Sequence, residues 1–158
     1  MPLCQTAHLI YGPTGAGKST YARQLAAERN AVRFAIDEWM HALFGEDLPE
    51  KLDLSWIMPR VARCQARIWV SSRQILDCGT DVVLELGLQR AQDRERLQTL
   101  VEAAGHRAEF SFVDADREVR RHWPQQGAHR VLSQRARDGL GNHGQRGQFR
   151  QQQGQRRA

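Results

Sequence analysis

Short apolar runs alternate along this chain with longer segments whose apolar residues recur at helical spacing. The short runs predict strands at residues 7–11, 32–36, 81–86 and 108–113, of which the first and the third are expected to be buried. The longer segments predict helices at residues 20–28, 37–44, 54–76, 89–104 and 115–121. Strands that alternate with helices are typical of βαβ units, in which helices cover both faces of a parallel sheet. The pattern therefore predicts a three-layer α/β fold with a parallel sheet of four or five strands.

Residues 123–158 differ in composition from the rest of the chain. They contain nine glutamines, seven arginines and six glycines, with few large apolar residues. Such a segment cannot bury enough apolar surface to offset the entropy lost on ordering. We therefore expect one folded domain over residues 1–122 and a Gln/Arg/Gly-rich, largely disordered tail over residues 123–158.

The net charge of +5 belongs to this tail. Its seven arginines are accompanied by one acidic residue, Asp138, whereas residues 1–122 contain 16 basic and 17 acidic residues. The balance of the folded part therefore gives no indication of a nucleic-acid partner. Contact with nucleic acid is expected through the tail only.

Cysteine usage and the absence of long apolar runs predict a cytoplasmic protein. Cys4, Cys64 and Cys78 are odd in number and never in C-x-x-C spacing, which is typical of reduced thiols. The first six residues lack the basic start and apolar run of a signal peptide. No run of about 18 apolar residues occurs, so a membrane is not expected as a partner.

A phosphate-binding motif follows the first predicted strand. The Walker A pattern G-x-x-x-x-G-K-[ST] is matched at every fixed position by Gly12, Pro13, Thr14, Gly15, Ala16, Gly17, Lys18 and Ser19, called the P-loop below. Glycines let backbone N–H groups approach phosphate oxygens, and the following helix adds its positive dipole end. We expect Lys18 to reach the β- and γ-phosphates and the Ser19 hydroxyl to hold Mg²⁺. The motif thus predicts binding of a nucleoside triphosphate.

Two carboxylates stand at the carboxyl ends of other predicted strands, where parallel sheets bind their ligands. Asp37 follows the second strand and is the best candidate for the base in a phosphoryl transfer, with capping of the next helix as its alternative role. Glu85 is in the third strand, where it either orients a magnesium-bound water or accepts a structural hydrogen bond. The P-loop and both carboxylates are expected to meet in one crevice.

For several other side chains, the sequence predicts either contact with a phosphate or the degree of burial. Arg117, Arg120 and Arg121 are candidates for contact with the transferred phosphate, and a solvated helix face is the alternative for each. His106 is expected at the surface. Tyr21, in the helix after the P-loop, is expected to face the core.

These motifs together resemble one family. The P-loop with Thr20 and the segments 34–40, 79–87 and 112–115 are similar to those of AAA_33-type bacterial ATP-binding proteins. These are P-loop kinases related to polynucleotide kinase, zeta toxin and chloramphenicol phosphotransferase, and the resemblance spans about residues 6–121. It implies a small P-loop kinase fold, ATP-Mg²⁺ as donor and a hydroxyl acceptor. It also implies Asp37 as general base and Lys18, Ser19 and Thr20 as nucleotide ligands.

The chain departs from the family pattern at three places. Glu85 stands where the third strand usually ends in aspartate. Met40 replaces the arginine that follows the base in the polynucleotide kinase branch, which counts against a nucleic-acid 5′-hydroxyl as acceptor. The family also continues with an arginine-bearing lid helix and a last strand, and neither pattern is evident after Arg121.

Two hypotheses from different classes follow. The leading one is a kinase that transfers the ATP γ-phosphate to a hydroxyl of a small molecule or nucleoside-type acceptor, with a rate impaired by the altered lid. The alternative is a non-catalytic nucleotide-binding module whose tail binds nucleic acid, because residues 146–150 have the arginine–glycine character of such segments. A switch ATPase is a third possibility, although no second arginine finger or sensor is evident.

We hypothesise that the reading frame shifts near residue 122, so that the tail is out-of-frame or divergent sequence. Its Gln/Arg/Gly bias without periodicity motivates the idea. Translation of the other two frames of the coding DNA should then reveal a lid helix and a last strand. Absence of both from those frames would contradict the hypothesis.

Overall fold

The computed structural model describes residues 4–114 of the chain. The strands in this part are β1 (Thr6–Tyr11), β2 (Val32–Ala35), β3 (Val82–Glu85) and β4 (Arg107–Phe112). The helices are α1 (Lys18–Arg29), α2 (Ile36–Phe44), α3 (Leu54–Asp77) and α4 (Ala91–Ala103). Each strand and helix predicted before residue 114 is therefore present. The helix predicted at residues 115–121 and the predicted tail lie outside the described residues.

The strands form one parallel sheet in the order β2-β3-β1-β4. β3 lies between β2 and β1, so that Leu84 pairs with Phe34 on one side and with Leu9 on the other. Because all the strands run in the same direction, their carboxyl ends lie at one edge of the sheet. The P-loop follows β1 at this edge, and Glu85 ends β3 there. The predicted α/β fold with a parallel sheet is confirmed, with four strands in the described part.

The core anchors α1, and with it the P-loop, on the sheet. β3 is buried over its whole length, as its apolar sequence predicts. Ala22 and Leu25 of α1 pack in a buried cluster with Ile10 of β1 and Val83 of β3. Full burial of one large aliphatic side chain contributes roughly 1.5–3 kcal/mol relative to exposure. The cluster therefore fixes the face of the sheet on which the first turn of α1 must lie.

The described residues form two compact units. The first contains the sheet, α1, α4 and the part of α3 from Arg63 onward, and the second contains residues 37–62. In the second unit, Phe44 and Trp56 meet edge to face with ring centroids 6.3 Å apart. The guanidinium of Arg60 stacks on the Trp56 ring at 4.0 Å from its centroid. Throughout residues 4–114, every helix is too short or too polar to cross a lipid bilayer.

Two expectations about side-chain burial were wrong. Tyr21 is 38% exposed, because its hydroxyl stays at the surface beside the hydroxyl of Ser111, 3.3 Å away. His106 is buried, because one ring nitrogen lies 3.0 Å from an oxygen of Asp77 and the other accepts from the N–H of Gln5. Both differences arise from partners far away in the sequence, which local spacing does not reveal.

Gly12, the first residue of the P-loop, lies against the backbone that follows β4. The N–H of Val113 donates to the carbonyl of Tyr11 at 2.8 Å, which continues the pairing of β1 with β4. A Cβ added to Gly12 would lie 2.0 Å from the carbonyl oxygen of Val113. The φ of Gly12, 148°, is also one that L residues rarely adopt. Only glycine fits at this position.

Replacement of Gly12 by alanine should destabilise the protein more than the same change at Gly105. Gly105 also has a positive φ, 84°, but nothing lies within 4 Å of a Cβ added there. Gly105→Ala therefore reports left-handed backbone strain alone, about 1–2 kcal/mol. Gly12→Ala adds a backbone clash, so its free energy of unfolding should fall further. Urea unfolding measures both, and equal losses would contradict the packing described here.

The amino end of α3 should carry a carboxyl with a low pKa. Oδ1 of Asp53 accepts hydrogen bonds from the Ser55 hydroxyl at 2.5 Å and from the N–H of Trp56 at 2.9 Å. The Ser55 hydroxyl first, and then the Trp56 N–H, lower the pKa of Asp53 below its ordinary value of 3.8. Since the folded-state pKa is the lower one, this contribution to stability is present above pH 3.8 and is lost as the pH falls through the folded-state pKa.

An NMR titration of the Asp53 carboxyl group tests this assignment. The midpoint should lie below 3.8 and should rise in Ser55→Ala. Ser71→Ala, in the same helix, serves as the control and should leave the midpoint in place. A midpoint that Ser55→Ala does not move would show that the hydroxyl is not the principal cause.

Candidate functional site

The P-loop joins the end of β1 to the start of α1. Gly15 and Gly17 have positive φ values of 76° and 89°, conformations that glycine adopts at little cost. Gly17 is the N-cap of α1 and offers no side chain to the helix, and the first turn contains no acidic residue. The first N–H groups of α1 are therefore not neutralised by a capping side chain or a carboxylate of that turn. A helix start of this kind attracts anions, phosphate above all.

Lys18, the first residue of α1, folds back over the loop. Its Nζ donates to the carbonyl oxygen of Pro13 at 2.8 Å. The half-buried side chain thereby holds its ammonium group against the P-loop. A cation beside a helix N-terminus strengthens the local positive potential, which favours a polyanionic ligand.

Ser19, in the first turn of α1, meets the end of β3. Its hydroxyl donates to Oε1 of Glu85 at 2.9 Å. Glu85 is only 7% exposed, and a buried carboxylate requires such partners because water no longer solvates it. The structural hydrogen bond considered for Glu85 is therefore present, and its donor is a residue of the motif itself.

The donor chemistry at this point fits Mg²⁺. This ion prefers oxygen ligands and keeps several waters, so proteins commonly bind it through one or two side chains together with substrate phosphates. The Ser19 hydroxyl and the Glu85 carboxylate are adjacent oxygen donors. Among residues 4–114, no group of three or more His, Cys, Asp or Glu is placed to hold a metal ion. The arrangement suits an ion that arrives with a nucleotide.

Arg33 of β2 is a member of the site that the sequence analysis did not single out. Its Nη1 forms an ion pair and a hydrogen bond with Oε2 of Glu85. The side chains are 14% and 8% exposed, respectively. Loss of one partner from a buried ion pair costs about 3–5 kcal/mol, because the other charge is left uncompensated. The available signal was a charged residue inside the apolar run 32–36.

Two amide side chains tie the segment that follows β3 to its neighbours. Nε2 of Gln89 donates to the carbonyl of Gly12 at 2.8 Å. Nε2 of Gln65, in α3, donates to the carbonyl of Leu86 at 2.9 Å. Both carbonyls lie in irregular backbone that lacks a regular sheet or helix partner. The P-loop is therefore in contact with the backbone after β4, at Val113, and with the segment after β3, at Gln89. Sequence reasoning missed both glutamines, since an amide in a loop or helix carries no local sign of its partner.

Asp37, the expected base, belongs to the second unit. α2 begins at Ile36, so that Asp37 lies within the first turn and does not occupy the N-cap position considered for it. Its side chain is exposed. The alternative role of Asp37 as the N-cap of α2 is therefore wrong, and its role as the base stays a prediction.

The other predicted residues divide by position. Thr14 and Thr20 are exposed on the P-loop and α1, and Ala16 is buried. The predicted phosphate-contacting arginines lie outside the described residues, and they are Arg117, Arg120 and Arg121.

Solved structures of kinases have the same fold as this chain. A chain of the Pnkp1/Rnl/Hen1 complex is similar with a TM-score of 0.61 and 18% identity over 80% of this chain, which spans only 42% of that longer chain. The Mycobacterium tuberculosis APS kinase CysC, in complex with AMPPNP and APS, is similar with a TM-score of 0.58 and 21% identity, over 89% of this chain and 77% of that one. A protein from Chloroflexus aurantiacus reaches a TM-score of 0.62 at 20% identity, over 89% and 70% of the two chains. The fold is therefore that of the P-loop kinases.

Sequence comparison gives the family. No curated protein matches the chain, but the model of an AAA domain family, AAA_33, matches residues 8–154. The match contains the P-loop, Asp37 and Glu85, and it also includes residues 123–154, which composition alone sets apart. With the P-loop, the parallel sheet and a family match over most of its length, the chain belongs to the AAA_33 family of P-loop proteins.

Proposed function

We propose that this protein is a kinase that transfers the γ-phosphoryl group of ATP, with Mg²⁺, to a hydroxyl group of a small molecule or nucleoside-type acceptor. The observation that carries the proposal is the pair of contacts at the start of α1. Lys18 is held against the P-loop at Pro13, and the Ser19 hydroxyl is held by Glu85. A cation and an oriented hydroxyl beside a helix N-terminus that has no capping side chain suit the β- and γ-phosphates of a Mg²⁺-bound nucleotide.

ATP is the proposed donor. The family resemblance implies it, and the similar APS kinase structure holds AMPPNP, an ATP analogue. In the proposed site, the P-loop N–H groups and Lys18 bind the phosphates, and Ser19 contributes a ligand to Mg²⁺. The metal, when bound with the nucleotide, neutralises charge that develops on the phosphate oxygens.

Asp37 is the proposed base. As the acceptor oxygen attacks the γ-phosphorus, the bond from that phosphorus to the β,γ-bridging oxygen breaks and ADP leaves. The proton of the acceptor hydroxyl passes to the carboxylate of Asp37. The Asp37 side chain is exposed, and carboxylate oxygens are proton acceptors that serve as general bases in enzymes.

Met40 counts against one class of acceptor, the 5′-hydroxyl group of a nucleic acid. The Pnkp1/Rnl/Hen1 complex supplies one of the similar chains, but Met40 takes the place of an arginine of the polynucleotide kinase branch. APS is present in the similar APS kinase structure. We therefore propose small hydroxylated molecules and nucleosides, in preference to 5′-hydroxyl nucleic acid, as the phosphoryl acceptors.

Loss of Lys18 or Asp37 should abolish phosphoryl transfer by different routes. Lys18→Ala removes phosphate binding, so ATP affinity and transfer should both fall. Asp37→Asn keeps the shape of the side chain but removes the proton acceptor, so transfer should fall about 10²–10⁴-fold while ATP affinity changes little. The measurement is transfer of labelled γ-phosphate from ATP-Mg²⁺ to a panel of nucleosides, 5′-hydroxyl oligonucleotides and hydroxylated antibiotics.

Lys51→Ala and Asp47→Asn are the matched controls, since both residues are exposed and neither belongs to the proposed site. Full activity of Asp37→Asn would contradict the assignment of the base. Tight ATP binding without transfer to any acceptor would favour the non-catalytic module. That alternative further requires RNA or DNA affinity that falls steeply with salt concentration, because arginine contacts to phosphates release counterions.

A further inference from the structure

We propose that Arg33 is a positioning residue, which holds Glu85 so that the Ser19 hydroxyl presents its oxygen to the Mg²⁺ of a bound nucleotide. The inference rests on the proposed nucleotide site. It adds a residue from β2 that the Walker A pattern does not contain. Arg33 acts through Glu85 and is not itself placed in contact with the nucleotide.

The register of the sheet brings the pair together. Arg33 pairs with Val83, and Ala35 pairs with Glu85. Arg33 and Glu85 are therefore diagonal neighbours, and their side chains leave the same face of the sheet. This is the face that α1 covers, because Val83 packs against α1. Ser19 extends from the first turn of α1, so the three side chains share one layer between helix and sheet.

Each oxygen of the Glu85 carboxylate has its own partner. Oε1 accepts the hydrogen of the Ser19 hydroxyl at 2.9 Å, and Oε2 is engaged by Nη1 of Arg33. A hydroxyl binds a metal ion through its lone pairs, so its hydrogen must point elsewhere. With the hydrogen directed at Oε1, the lone pairs of Ser19 face away from Glu85. The carboxylate therefore sets the direction in which Ser19 can act as a ligand.

Arg33 also stabilises the buried Glu85 carboxylate and restricts its orientation. A carboxylate with 8% exposure is poorly solvated, so without a cation beside it the side chain would turn toward another hydrogen-bond donor. The guanidinium offers a fixed donor geometry that restricts the rotation of the carboxylate. The Glu85 side chain thereby contacts both β2, through Arg33, and α1, through Ser19.

The test compares the Mg²⁺-dependent and Mg²⁺-independent parts of nucleotide binding. Calorimetry gives the affinity for AMPPNP with excess Mg²⁺ and with EDTA, for the wild type, Arg33→Met, Arg33→Lys and Arg107→Met. Arg33→Met should reduce the affinity gained from Mg²⁺ by about 10-fold or more, as loss of an outer-shell partner does at other metal sites. Its affinity in EDTA should change by less than about 2-fold, since the P-loop contacts remain. Arg33→Lys should recover part of the gain.

Arg107→Met is the matched control, because Arg107 lies on β4 with a side chain that is 66% exposed. It should leave both affinities unchanged. Equal losses in Mg²⁺ and in EDTA for Arg33→Met would show a general structural role and overturn the proposal. An unchanged gain from Mg²⁺ would overturn it as well, while leaving the proposed function intact. Failure of the wild type to bind AMPPNP at all would overturn the proposed function and this inference together.

A double-mutant cycle without nucleotide tests whether Arg33 and Ser19 are coupled through Glu85, a connection called the relay below. Urea unfolding is measured for Ser19→Ala, Arg33→Met and the double variant. The unfolding equilibrium constant of the double variant should differ by about 3-fold or more from the value expected if the two single effects were independent. Additive effects would overturn the relay through Glu85. If Arg33→Met fails to fold, Arg33→Lys replaces it in both measurements and should show a smaller departure of the same sign.

Discussion

The Glu85 carboxylate links three elements of this fold that are far apart in the chain. It ends a strand that is buried over its whole length, in surroundings where an unpaired charge is strongly unfavourable. It is stabilised there by the guanidinium of Arg33 from β2 and by the hydroxyl of Ser19 from α1. The need to satisfy one buried charge therefore aligns β2, β3 and α1 at the carboxyl edge of the sheet. The position of Ser19, and hence of the chemistry proposed for it, depends on that charge.

The P-loop is held in place by contacts to its backbone. Gly12 permits an approach to the carbonyl of Val113 that any Cβ would block, and its own carbonyl accepts from Gln89. Lys18 closes the loop from the other side through Pro13. A loop restrained at both ends keeps its N–H groups in place before a ligand arrives, so less ordering entropy is lost on binding. The glycine-rich sequence is thus compatible with a well-defined loop.

The residues named in the proposed reaction belong to both compact units. Lys18, Ser19 and Glu85, which would bind the donor, belong to the first unit with the sheet. Asp37, the proposed base, and Met40 belong to the second. The second unit has its own stabilising contacts, in which Arg60 stacks on Trp56 and Trp56 meets Phe44.

The sequence by itself determined the features that depend on local spacing. The P-loop was evident because a phosphate cradle is one continuous segment, and β3 was evident because burial on both faces requires an unbroken apolar run. The relay from Arg33 to Ser19 was not evident, since Arg33 and Glu85 are 52 residues apart and Glu85 and Ser19 are 66 apart. The burial of His106 depends in the same way on Asp77 and Gln5. Only the strand order and register, set by long-range packing, brought these side chains together.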